Sequence, residues 1–188
     1  MKKQKLILIG SSTGGPGHLE KILSQLKADF SSTIIIAQHI DSIFLPSMVK
    51  HLNDICKLDI IQAQENKSIQ TGRIIFTHKK ITDLHLDHTN GLHLQKSTQT
   101  SHYSPCVDSL FLSAAKLHAN VDILACLLTG IGDDGAKGML ALKKSGAHCI
   151  SESEESSIIY GMPKAAVELG ANSEALCLDE IIERIQSF

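Results

Sequence analysis

The stretch Leu6-Ile-Leu-Ile-Gly10-Ser-Ser-Thr-Gly-Gly15-Pro-Gly-His-Leu-Glu20-Lys-Ile-Leu-Ser-Gln-Leu26 decides the fold. It opens with a short continuous apolar run ending in glycine, the pattern of a strand buried on both faces. A Ser/Thr/Gly turn follows. Pro16 suits the first turn of a helix, where its missing N–H costs nothing, and Leu19, Ile22, Leu23 and Leu26 recur at helical spacing. Strand, tight turn and helix make one β-α unit. A second begins at Thr33-Ile-Ile-Ile-Ala37, ends its strand at Gln38-His39, and continues into a helix marked by Leu45, Met48, Val49 and Leu52.

Farther out the pattern changes and then returns. Arg73 to Phe76, Ile81 to Leu86 and Leu92 to Leu94 read as short β stretches, and Asn90-Gly91 is a strong hairpin-turn signal, so an antiparallel insertion is expected over about residues 73–96. Alternation resumes with a helix from Val107 to Leu117, the apolar run Val121 to Leu128, and the turn Thr129-Gly-Ile-Gly-Asp-Asp-Gly135. A helix over 136–145, a strand near 147–150, a helix after Pro163 and another from Asp179 complete the chain. The expected fold class is α/β: one domain over residues 1–188 with a doubly wound, mostly parallel sheet and helices on both faces.

Composition narrows the function. The 188 residues suit one domain with its own core. Lys+Arg 18 against Asp+Glu 20 leaves no basic surplus for neutralising phosphates, which argues against nucleic acid as a partner. No apolar run approaches the roughly 20 residues needed to cross a bilayer, and the chain reads as soluble and cytoplasmic, with no membrane insertion. Five widely spaced cysteines without a CxxC pair read as free thiols.

Functional groups of open parallel sheets collect beyond the carboxyl ends of the strands. Three segments lie there: Gly10-Ser-Ser-Thr-Gly14 after the first strand, His39 at the end of the second, and Asp133-Asp134 in the turn after the strand from Val121. Gly10-x-Ser12-x-Gly14 matches a nucleophile elbow, which projects a serine hydroxyll from a sharp strand-to-helix turn. The following helix aims free N–H groups at that turn, where an oxyanion would develop. Serine needs a base and the base needs a carboxylate, which makes His39 and Asp134 the candidates. The alternatives are concrete. Asp133 and Asp134 also suit the cap of the next helix. Gly10, Gly14, Gly15 and Gly17 also suit a dinucleotide pyrophosphate, although Gln38-His39 stands where such sites carry an acid. His85, His88 and His93 on the hairpin form a possible metal set, with solvated strand residues the simpler reading.

The segments GSSTGG (10–15), AQH (37–39), SPCVDSLF (104–111), LLTGIGDDGAKGM (127–139) and YGMP (160–163) together resemble the catalytic domain of CheB-type chemotaxis-receptor methylesterases, nearly end to end. The resemblance implies Ser12 as nucleophile, His39 as general base and Asp134, rather than Asp133, as third triad member. It assigns the oxyanion hole to backbone N–H groups at Thr13 and Ile131, the latter a position where the family often has methionine. It implies hydrolysis of glutamyl γ-methyl esters on chemoreceptor cytoplasmic helices, releasing methanol, with deamidation of receptor glutamines as a further activity. No metal or organic cofactor is required, and a monomer is expected. A catalytically idle receptor-binding module and a nucleotide-binding protein are the rival functions. Family members commonly carry an N-terminal receiver domain. Here the first strand begins about five residues in, so the expectation is an esterase domain without a receiver, whose activity a phosphodonor leaves unchanged.

Overall fold

The computed structural model describes residues 3–89 and 91–188. Its centre is β1 (Gln4–Ser11), flanked in parallel register by β2 (Thr33–Gln38) on one side and β7 (Val121–Leu127) on the other. Outward from β2 lie β4 (Ile74–Phe76) and β3 (Ile60–Gln62); outward from β7 lie β8 (His148–Glu152) and β9 (Glu174–Leu176). All seven strands run parallel. The chain leaves β1 toward β2 and later returns to its other side as β7, so the β1/β7 boundary is the switch point where such sheets open a crevice.

Alternation along β1 divides the core. Ile7 and Ile9 face a layer built from α1 (Gly15–Ser24), α2 (Leu45–Ile55) and α6 (Leu178–Ser187). Leu6 and Leu8 face α3 (Val107–Ala115), α4 (Ala136–Ser145) and α5 (Met162–Glu168), together with apolar residues of the hairpin. Both faces are covered, which is why the strands read as continuous apolar runs.

The hairpin is smaller than the expected insertion. Ile74–Phe76 pairs parallel with β2 and belongs to the main sheet; the antiparallel pair is β5 (Ile81–Leu86) with β6 (Leu92–Lys96). Asn90 lies outside the described residues. The loop is anchored by Asp87, whose Oδ1 accepts the Thr89 and Gly91 N–H groups and the Thr89 hydroxyl, holding that carboxyl down at about 2. His85 and His93 stand opposite one another with ring centroids 5.8 Å apart, a cross-strand pair. Among the described residues no group of three His, Cys, Asp or Glu side chains is placed to hold a metal ion, and no helix is long and apolar enough to cross a membrane. All five cysteines are free, three buried and two half-buried.

Helices α3 and α4 approach closely because Gly138 has no side chain; a Cβ there would lie 2.6 Å from Phe111 Cβ and 3.0 Å from the Asp108 carbonyl. Gly138→Leu should therefore destabilise the fold by about 1–3 kcal/mol or more, although leucine is the better helix former. Urea unfolding would show this as a lowered midpoint; an unchanged or raised midpoint would contradict the close approach.

Candidate active site

Ser12 stands immediately beyond β1, at the switch point, and is half-buried. Its backbone is held from three sides. The N–H donates to the Thr129 carbonyl at 2.9 Å, while its own carbonyl accepts the Gly15 N–H at 2.8 Å and Gln38 Nε2 at 2.9 Å. Gly130 leaves room for the side chain: a Cβ at that position would come within 2.7 Å of Ser12 Cβ.

Gln38 clips the two strand ends together. Its Oε1 accepts the Ser11 hydroxyl at 2.6 Å, and its Nε2 donates to the carbonyls of both Ser12 and His39. A Cβ on Gly15 would come within 2.9 Å of Ser11 Oγ. The glycine-rich turn is thus packed by its own neighbours and by an amide where a dinucleotide site would carry an acid, and the nucleotide reading loses its support.

His39 lies one residue past β2, its N–H donating to the Ser11 carbonyl at 2.9 Å. Its Nε2 is 2.7 Å from Asp134 Oδ2. Asp134 comes from the turn after β7, so this bond arches over the end of β1 and brings the residues predicted at 12, 39 and 134 to one place. Among the described residues no hydrogen bond joins Ser12 Oγ to His39; in free hydrolases that contact is commonly long and tightens only with substrate bound.

Asp134 does not cap the helix that follows it. The N-cap of α4 is Gly135, with no side-chain cap. The Asp134 carboxylate instead accepts the N–H groups of Val107 at 2.7 Å and Asp108 at 2.9 Å, at the start of α3. Asp108 returns the arrangement, accepting the N–H groups of Gly135 at 3.0 Å and Gly138 at 2.7 Å at the start of α4. The turn before α4 supplies an acid to the orphan donors of α3, and α3 supplies one to those of α4. Burial alone would raise the Asp134 carboxyl, but the His39 ring and the two α3 N–H groups outweigh it and hold the group below the usual carboxylate range. Asp133 is exposed; its Oδ1 lies 3.5 Å from the Tyr103 hydroxyl.

Tyr103 is the residue that pattern reading missed. Its ring stacks on His39 with centroids 4.9 Å apart and planes 7° from parallel, which restrains the imidazole plane. Burial and the Asp133 and Asp134 charges raise its phenol above the ordinary value. The only sequence signal was its place directly before Ser104-Pro105-Cys106-Val107-Asp108. The N–H groups of Thr13 and Ile131 take no acceptor among the described residues. Around these strand ends Ile43, Phe44, Ile131 and Ile158 are 58–71% exposed, an apolar lip.

Comparison with known proteins shows the family. The family model described as CheB methylesterase matches residues 7–185. The chain belongs to the CheB methylesterase family. CheB relatives named protein-glutamate methylesterase/protein-glutamine glutaminase include one from Pseudoalteromonas translucida, 36% identical over 99% of this chain and 48% of that protein. Another, from Carboxydothermus hydrogenoformans, is 36% identical over 97% of this chain and 52% of its own length. The chain thus spans about half the length of these curated CheB relatives. The crystal structure of the Thermotoga maritima CheB methylesterase catalytic domain superposes with a TM-score of 0.89 at 28% identity, covering 99% of both chains.

Because the folded carboxyl of Asp134 is depressed, its contribution to stability is fully present above the unfolded value of about 3.9 and is lost as pH falls through the lower folded value. The difference in unfolding free energy between the wild type and Asp134→Asn should stay level from pH 7 to about 4 and shrink below that. Denaturant titrations down to pH 2 measure it. A difference that does not shrink would show that the native carboxyl is not depressed.

Proposed function

We propose that the chain is a serine hydrolase that demethylates glutamyl γ-methyl esters on chemoreceptor cytoplasmic helices, releasing methanol. The observation that carries this reading is the 2.7 Å bond between His39 Nε2 and Asp134 Oδ2 at the switch point beside Ser12. An acceptor at Nε2 fixes the tautomer: Nε2 carries the proton, and Nδ1 keeps the lone pair. Nδ1 is therefore the nitrogen that removes the Ser12 hydroxyl proton as Oγ attacks the ester carbonyl. The charge that appears on the ring is balanced by Asp134, which is ionised at neutral pH.

The free N–H groups of Thr13 and Ile131 supply the donors for the tetrahedral oxyanion. His39 then returns the proton to the departing methoxide, leaving an acyl-enzyme on Ser12. Water attacks that ester, losing its proton to Nδ1, and Ser12 Oγ leaves with the proton returned. The product is a glutamate side chain and free enzyme. The same steps acting on a glutamine amide release ammonia, which accounts for the glutaminase activity named in the curated relatives. The apolar lip at Ile43, Phe44, Ile131 and Ile158 suits packing against a helical protein substrate rather than a small soluble ester.

Ser12→Ala should abolish methanol release from a methyl-esterified receptor fragment while leaving the thermal melting transition in place; a folded variant with wild-type turnover would refute the nucleophile. Asp134→Asn should lower kcat by about three to four orders of magnitude through loss of the imidazole tautomer, and Asp133→Asn by far less. Equal losses in the two variants would refute the choice of carboxylate. A fluorophosphonate probe should label Ser12, as peptide mass spectrometry would show. An unlabelled folded wild type would favour the idle binding module.

A further inference from the structure

Glu152 ends β8 with its side chain fully buried, and the mechanism above does not use it. Its Oε2 accepts the Thr129 N–H at 2.8 Å and lies 3.3 Å from His18 Nδ1; its Oε1 accepts the Ser156 hydroxyl at 2.8 Å. Among the described residues no lysine or arginine pairs with it, and His18, whose side chain is 12% exposed, is its one potential cation. A carboxylate without solvent is costly unless it is hydrogen-bonded and paired.

What the carboxylate holds is the support of the Ser12 turn. Thr129 is itself fully buried, and its polar atoms converge on the residues around the serine. Its carbonyl takes the Ser12 N–H at 2.9 Å; its hydroxyl donates to the Thr13 carbonyl at 2.9 Å and accepts the Ile159 N–H at 2.9 Å. The remaining Thr129 group, its N–H, goes to Glu152. His18 adds a second strut, because it sits in the first turn of α1, whose N-cap Gly14 is left-handed (φ 85°) and offers no capping side chain. The pair therefore joins the end of β8 both to the floor beneath Ser12 and to the helix that starts three residues beyond it.

We propose that Glu152 is a positioning residue for the Ser12 turn, acting through Thr129, and that His18 is the counter-group that lets this carboxylate remain buried. This rests on Ser12 being the nucleophile. A lost acceptor would let Thr129 shift, and displacement of a nucleophile by about 1 Å costs on the order of a hundredfold in rate. KM should change little, since neither side chain reaches the apolar lip.

The test compares methanol release from a glutamyl γ-methyl ester peptide and fluorophosphonate labelling of Ser12, in the wild type and in four folded variants assayed well below their melting temperatures. Glu152→Gln keeps an acceptor oxygen for Thr129 and should stay within about threefold of wild type. Glu152→Leu, which removes it, should lose about ten- to a hundredfold in kcat with KM and peptide binding preserved. His18→Ala should slow the enzyme about tenfold or more, because it strands a buried charge, yet be nearly silent in the Glu152→Gln background, where no charge remains. A Glu152→Leu enzyme with wild-type kcat and labelling overturns the proposal. If that variant does not fold, the His18→Ala comparison decides: equal losses in the Glu and Gln backgrounds overturn it, and loss confined to the Glu background supports it. A wild type that neither labels nor turns over would instead refute Ser12 as nucleophile, a separate failure.

Discussion

The carboxylate of Asp134 is the constraint on which the rest of the site depends. It accepts hydrogen bonds from the His39 ring and from two N–H groups at the start of α3. Those donors come from different parts of the chain, one past β2 and two on a helix, so a single buried charge fixes the distance between a strand end and a neighbouring helix. Asp108 mirrors it by holding the start of α4. The exchange of acids locks α3 and α4 together at their N-termini, and Gly138 allows their bodies to close behind them. A group that joins two helices is also the one that, in the proposed mechanism, holds the imidazole tautomer, so a substitution there that removes the carboxylate disturbs the packing as well.

Much of this architecture was legible in the sequence because its signals are local. The buried runs at 6–9, 33–37 and 121–128 could only be two-sided strands, and each was followed by a turn rich in glycine or by a histidine where the chemistry belongs. The α4 boundaries, 136–145, were readable from the glycines on either side. Strands β3 and β9 were missed because three residues carry no measurable alternation, and β4 was placed with the hairpin because a short apolar run does not say which sheet it joins. The positions Ser12, His39 and Asp134 could be read as one candidate cluster because each follows a parallel strand, and β2, β1 and β7, neighbours in the sheet, end on the same side. Tyr103 and the capping role of Asp134 were not, since each depends on contacts between segments far apart in the chain, which no periodicity encodes.

The placement of the serine at the β1/β7 boundary explains how it can be both rigid and reachable. On one side Gln38 ties its turn to β2, and on the other Thr129 ties it to β7. The backbone is held by hydrogen bonds that do not involve the hydroxyl. Tyr103 then confines the imidazole in its own plane without taking either ring nitrogen.

The ends of the sheet show how the fold stays apart from its neighbours. Both outer strands, β3 and β9, are only three residues long. On β9, Glu174 is engaged by Arg184 at 2.6 Å and by His148 at 2.6 Å. A long, flat, unpaired border would template the addition of strands from other molecules; a border of three residues gives an incoming strand too few unmet backbone groups to grip, and on β9 Glu174 adds charge. The sheet thus ends in borders too short to template a further strand, although its centre is almost continuously apolar.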